Sequence, residues 1–319
     1  MTILVGVDEA GYGPNLGPLV VAASVWRIDA DDDSDEAAAR LARAGADIAT
    51  EAALRTAPWG DSKKLHTSGA GLAGLERGVL ASIAALDRGT VPPDGWALAR
   101  LLGIDDSDAP REWPRFGARP LPVDAATGAV ERLRDAIAGA LPRHGVTLEG
   151  LAARVVHPAR FNRLLDAGLN KSDILSRESL ELAAGLRAAR GGDRAIVWCD
   201  RHGGRKTYAP LVGRHFESVL VRALEECPAR SRYAIAEGPG TEIEFTVGGE
   251  ERVPVALASM TAKYVRELAM LAFNDHWGAL LPGMAPTAGY PVDARRWLAA
   301  AERTLAGAGI AIDTVWRRV

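Results

Sequence analysis

Cysteine is nearly absent: Cys199 and Cys227 are the only two in 319 residues, and no CxxC pair exists. That excludes a disulfide framework and makes a reducing cytoplasm the default compartment. Long hydrophobic runs are also missing. No apolar stretch approaches the roughly 20 residues that a membrane span needs. The opening Met1-Thr2-Ile3-Leu4-Val5 carries no basic segment and runs straight into Asp8-Glu9, so it does not read as a signal peptide. Neither sign of charge predominates, with 38 Lys and Arg against 41 Asp and Glu. The net charge is −3, so positive charge for a polyanion must be gathered locally. The stretch 201–216 gathers it, with Arg201, Arg205, Lys206 and Arg214 beside His202 and His215, and no acid. No repeat or low-complexity segment stands out.

What is present is 48% apolar residues, enough for a sizeable core. Residues 3–7 and 18–28 read as strands, and 29–36 as an exposed acidic turn. Residues 37–53, 68–86, 125–141, 159–167 and 172–190 read as helices, the last with Ser172 as N-cap. Strands are expected at 151–156, 194–199 and 232–236. The segment 208–226 reads as largely helical. Residues 242–255 read as a β-hairpin turning at Gly248-Gly249. Residues 256–277 and 293–306 read as helices, and 310–316 as a last strand. Strands and helices in mixed order give an α/β class built on a central mixed sheet. Residues 88–150 break this pattern with prolines and with Trp96, Trp113 and Phe116, and read as an inserted, loop-rich subdomain or flap.

Three places carry chemistry. In Val5-Gly6-Val7-Asp8-Glu9-Ala10-Gly11-Tyr12-Gly13 a buried strand ends in two acids followed by glycines. Buried carboxylates are costly unless neutralised, and here a cation is the natural neutraliser. Gly11 and Gly13 let backbone N–H groups approach a sugar or phosphate. Asp200 closes a second apolar strand, and functional side chains of α/β sheets collect at such ends. Cys199 beside it points to the other face, into the core. Lys263 and Glu267 share one face of a helix whose small residues Ala256, Ala258, Ser259 and Ala262 suit close packing on a sheet.

Asp8-Glu9-Ala10-Gly11-Tyr12-Gly13-Pro14-Asn15-Leu16-Gly17-Pro18 resembles the opening motif of ribonuclease HII, Asp-Glu-Ala-Gly-Arg-Gly followed by Gly-Pro. Asp61-Ser62-Lys63-Lys64-Leu65 matches that family's Asp-Ser-Lys-Lys-Leu segment. Asp200 falls where the family has a strand-closing aspartate. Ala258-Ser259 through Ala262-Lys263 and Arg266-Glu267 resembles its Ala-Ser…Ala-Lys…Arg-Asp helix, and Gly289-Tyr290 its late Gly-Tyr. The motifs stand in the family's order and fail only over about 88–150.

The resemblance implies a single RNase H-like catalytic domain with its C-terminal part, 278–319, contacting substrate. It implies an endonuclease for RNA–DNA hybrids or for ribonucleotides embedded in duplex DNA. The start at the first catalytic strand favours an HII-like over an HIII-like enzyme. The implied catalytic and metal-ligating set is Asp8, Glu9, Asp200 and Glu267. Four carboxylates in one cleft repel each other unless cations enter. Two ions about 4 Å apart would activate a water and stabilise the leaving 3′ oxygen, giving 5′-phosphate and 3′-hydroxyl ends. All-oxygen ligation points to Mg²⁺ or Mn²⁺. The family's substrate contacts fall on Gly11, Tyr12, Gly13, Lys63, Lys64, Lys263 and Tyr290. Two residues depart from the pattern: Tyr12 replaces an arginine, and Glu267 an aspartate. One extra methylene moves a carboxylate by roughly 1.5 Å, in sites held to about 0.5 Å. A same-fold nuclease with a shifted substrate and a non-catalytic nucleic-acid binder remain as alternatives.

Overall fold

The computed structural model describes residues 1–55, 57–66, 71–87, 89–235 and 240–318. Seven strands form one sheet: β1 (Thr2–Ala10), β2 (Leu19–Ile28), β3 (Val146–Val156), β4 (Arg194–Asp200), β5 (Val221–Glu226), β6 (Arg230–Ile235) and β7 (Thr241–Thr246). Their order is β3-β2-β1-β4-β7-β6-β5. β1 lies antiparallel to β2 and parallel to β4, and β4 runs parallel to β7. The helices are α1 (Ser34–Glu51), α2 (Ser62–Leu65), α3 (Ala73–Leu86), α4 (Gly95–Leu101), α5 (Trp113–Gly117), α6 (Thr127–Arg143), α7 (Pro158–Asp166), α8 (Lys171–Ala188), α9 (Ala209–His215), α10 (Val253–Leu280) and α11 (Pro291–Gly307). A mixed sheet covered by helices on both faces, with the β1–β4 pair at its centre, is the RNase H-like α/β arrangement that the resemblance implies.

Alternation along β1 and β4 sorts the core. Leu4, Ile196 and Trp198 face one side and pack with α1, α3, α6 and α10. Ile3, Val5, Val7, Val197 and Cys199 face the other and pack with α8 and α9. α10 lies unusually close to the sheet. A Cβ added at Gly6 would stand 2.2 Å from the carbonyl carbon of Pro254, so only glycine permits this approach. Ser24 Oγ donates to the Pro254 carbonyl at 2.7 Å and pins the start of the helix. Beyond the sheet, the end of α10 packs with α11 through Phe273, Trp277 and Trp297.

Several expectations give way. Residues 89–150, expected as an inserted loop-rich subdomain or flap, hold the helices α4 to α6, and their Leu98, Trp113, Phe116, Val130, Leu133 and Ile137 belong to the same core cluster as α10 and β2. Residues 221–226 form a strand rather than helix, because antiparallel pairing with β6 overrides their helical composition. The hairpin expected over 242–255 is half right. β7 ends at Thr246, Gly249–Glu251 makes one 3₁₀ turn, and Pro254 then stands in the first turn of α10, where its missing N–H costs nothing. Asn170, not Ser172, caps α8, in a reciprocal pair with Asp173. The last strand reduces to a single bridge between Leu16 and Trp316. Residues 68–70 and 236 of two expected elements lie outside the described residues. Among the described residues no helix is long and apolar enough to cross a membrane.

Candidate active site

The parallel register pairs Val7 with Cys199, so Asp8 and Asp200 come next, side by side at the C-terminal ends of the two central strands and on the face covered by α10. Asp8 is 5% exposed. Its Oδ1 accepts from the Glu9 N–H at 2.8 Å. Burial, then the charges of Glu9 and Asp200, push its carboxyl well above the usual range; Ser259 opposes this and Glu250 adds to it. Burial and Asp200 likewise raise Glu9 to about 7, against the pull of Asp8 and Lys63.

Glu250 is the acid that sequence reasoning missed. It sits in the 3₁₀ turn between β7 and α10. Gly249 N–H donates to Asp200 Oδ1 at 3.0 Å, which ties that turn to the end of β4. Ser259 Oγ donates to Glu250 Oε1 at 3.1 Å, and Lys63 Nζ lies 3.5 Å from the same oxygen. Burial raises the Glu250 carboxyl too. The available signal was Gly-Gly-Glu followed by Pro254, which marks a turn into a helix rather than a hairpin.

Glu267 is placed differently. It lies eight residues beyond Ser259, about 12 Å along the helix at 1.5 Å per residue. Lys263 Nζ donates to Glu267 Oε1 at 2.7 Å, Arg266 Nη1 lies 3.3 Å from the same oxygen, and His66 Nε2 is 3.7 Å from Oε2. Burial would raise its carboxyl, but Lys263, Arg266 and His66 hold it below the ordinary range. Glu267 thus has its own counter-ions, whereas Glu250 takes part in the electrostatics of Asp8.

The other residues line the rim. Ser62 Oγ meets Ser259 Oγ at 3.0 Å and docks the Asp61–Leu65 turn on α10. Lys63 therefore faces the acids, and Glu250, then Asp8 and Asp200, raise its ammonium above the ordinary range despite burial. Lys64 turns outward toward Asp61, 3.6 Å away. Gly11 has φ +86°, and a Cβ there would strike the Pro18 carbonyl oxygen at 2.5 Å. Asn15 N–H donates to the Gly289 carbonyl at 2.8 Å, joining the glycine loop to the turn before Tyr290. Tyr290 is 53% exposed, so it is no core residue, and a Cβ on Gly13 would lie 3.7 Å from its ring.

Among the described residues, no three His, Cys, Asp or Glu side chains converge at metal-binding spacing. The donor set itself, all carboxylate oxygen with raised proton affinities at Asp8, Glu9 and Glu250, fits a hard divalent cation.

No family model matches the sequence, and no curated protein does. Among solved structures, the chain is similar to one of the PCNA:RNase HII complex from Archaeoglobus fulgidus, at 14% identity, TM-score 0.42, covering 98% of this chain and 93% of that one. It is similar to ribonuclease H2 from Pyrococcus horikoshii OT3, at 14% identity and TM-score 0.43, covering 98% and 92%. It is also similar to Bst-RNase HIII in complex with Mn²⁺, at 16% identity and TM-score 0.42, covering 100% of this chain and 66% of that one.

Proposed function

We propose that this chain is a divalent-metal-dependent endoribonuclease acting on RNA–DNA hybrids or on ribonucleotides embedded in duplex DNA. Asp8, Glu9, Asp200 and Glu250 form its catalytic set. One observation supports the reading: two neighbouring parallel strands bring Asp8 and Asp200 to the same end of the sheet beside Glu9 and Glu250, and burial raises the Asp8 and Glu9 carboxyls. These four residues would hold Mg²⁺ or Mn²⁺, which when bound supplies a Lewis acid and an activated water at the scissile phosphate.

The protein's own groups do the rest. Lys63, already turned toward the acids, meets the phosphate charge. The backbone of Gly11, Tyr12 and Gly13 would meet a ribose hydroxyl beside the Tyr290 ring, which lies 3.7 Å from a Cβ built on Gly13. Tyr290 offers an exposed ring on which a sugar at an RNA–DNA junction stacks. Lys263 and Arg266 neutralise Glu267, which serves the scaffold of α10 and not the metal.

The test compares a duplex carrying one ribonucleotide with an all-RNA/DNA hybrid, in Mg²⁺ and in Mn²⁺. Asp200→Asn and Glu250→Gln should each lower cleavage by roughly 100-fold or more while leaving the thermal melt intact, and Glu267→Gln should lower it far less. Normal turnover by Glu250→Gln, with loss in Glu267→Gln, would return the fourth position to Glu267. Binding of both duplexes without cleavage of either would leave a nucleic-acid binder.

A further inference from the structure

Tyr12 stands half-buried in the glycine loop, beside the acids. A Cβ on Gly203, in the basic loop after Asp200, would lie 3.3 Å from its hydroxyl. Burial and the charge of Glu9 raise the phenol. Over the same ring, 4.3 Å from its centroid, stands the ammonium of Lys171.

Lys171 is an unusual place for a cation. It is the first residue of α8, where the helix end already carries partial positive charge. Burial and the neighbouring Arg317 lower its ammonium below the ordinary range. Among the described residues it has no carboxylate partner and no hydrogen bond; the Tyr12 ring is what holds it. Arg205 is paired with Asp173 at 2.5 Å, and the neighbouring Arg317 is buried with its Nη2 on the Gly11 and Pro14 carbonyls. An aromatic face fixes the position of an ammonium without cancelling its charge. Four acids close by would repel a polyanion, so the rim needs uncommitted positive charge to hold one.

We propose that Lys171, seated on the face of Tyr12, is a phosphate anchor for the nucleic-acid backbone at the rim of the acidic site. This rests on the nuclease reading. The experiment measures binding of a labelled RNA/DNA hybrid to the full chain without divalent metal, across a salt series, for wild type, Lys171→Met, Lys171→Gln and Lys171→Arg. The expected result is a salt slope shallower by about one unit in log K against log salt, and binding roughly threefold weaker at about 0.1 M salt, for Met and Gln. Arg should behave as wild type, and all melts should be unchanged. Tyr12→Leu should add nothing to Lys171→Met, because the ring acts through the lysine. Wild-type slopes in Met and Gln would overturn the proposal and leave the nuclease reading standing. A wild-type chain that neither binds nor cleaves the hybrid would overturn both.

Discussion

At Glu9 the local field fixes the sign of a pH response. Its carboxyl is held at about 7, against an ordinary value of 4.5. Between those values the folded state binds more proton than the unfolded chain, so this group's contribution to stability is present below pH 4.5 and lost as pH rises through about 7. Glu9→Gln should therefore stabilise the metal-free protein at pH 8, by on the order of 1–2 kcal/mol, and do little at pH 5. Saturating Mg²⁺ should reverse the order, since ions that bind only the folded wild type stabilise it. Thermal melts at the two pH values check this; an equal shift at both would refute it. Two buried histidines pull the other way. Burial lowers His157 to about 4 and His202 to about 3, so their neutral forms lose stability only as pH falls below 6.5. Comparing variant with wild type cancels that term.

At the scale of elements, the site depends on how closely α10 lies on β1. Ser259 and the turn holding Glu250 are carried by this helix, and Asp8 by this strand. Gly6→Ala forces a methyl into the Pro254 backbone and should cost about 3 kcal/mol or more, because no flexible side chain can give way. The loss of activity should exceed the loss of folded protein, since the acids separate before the domain unfolds. Asn170→Ala removes only a cap and should cost about 1 kcal/mol. Denaturant titrations of the two variants separate the effects; similar midpoints would show that the contact at Gly6 relaxes freely.

At the scale of the whole molecule, the chain's last described residues reach back to its first loop. Arg317 is fully buried, and its Nη2 donates to the carbonyls of Gly11 and Pro14. Its main-chain N–H donates to the Asn15 carbonyl at 2.7 Å, and Asn15 Nδ2 returns a bond to the Arg317 carbonyl at 3.0 Å. Among the described residues Nε and Nη1 of Arg317 have no hydrogen-bond partner, and burial lowers the guanidinium to about 9. Arg317→Met should therefore leave the melting temperature within a few degrees, because an apolar side chain replaces a poorly paired buried charge. Cleavage should fall roughly tenfold as the loop loses its brace. Unchanged cleavage would show that Gly11 and Pro14 hold their places unaided.

The sequence by itself determined the acid-bearing strand ends, the glycine loop and the long helix, because each is a local pattern: an apolar run closed by an acid, glycines where backbone must bend, small residues on one face. Asp8, Glu9 and Asp200 were singled out for that reason. Glu250 was not. Its partners come from three separate stretches, Asp8, Lys63 and Ser259, and only folding brings them together. Lys263, Arg266 and Glu267 pair locally along one helix; among the described residues tertiary structure adds only His66, whose Nε2 lies 3.7 Å from Glu267 Oε2. The prolines and aromatics of 88–150 suggest a flap. Trp113 and Phe116 are buried in one cluster with α10 and β2 while Trp96 stays 40% exposed, a division decided by long-range packing that local spacing does not encode.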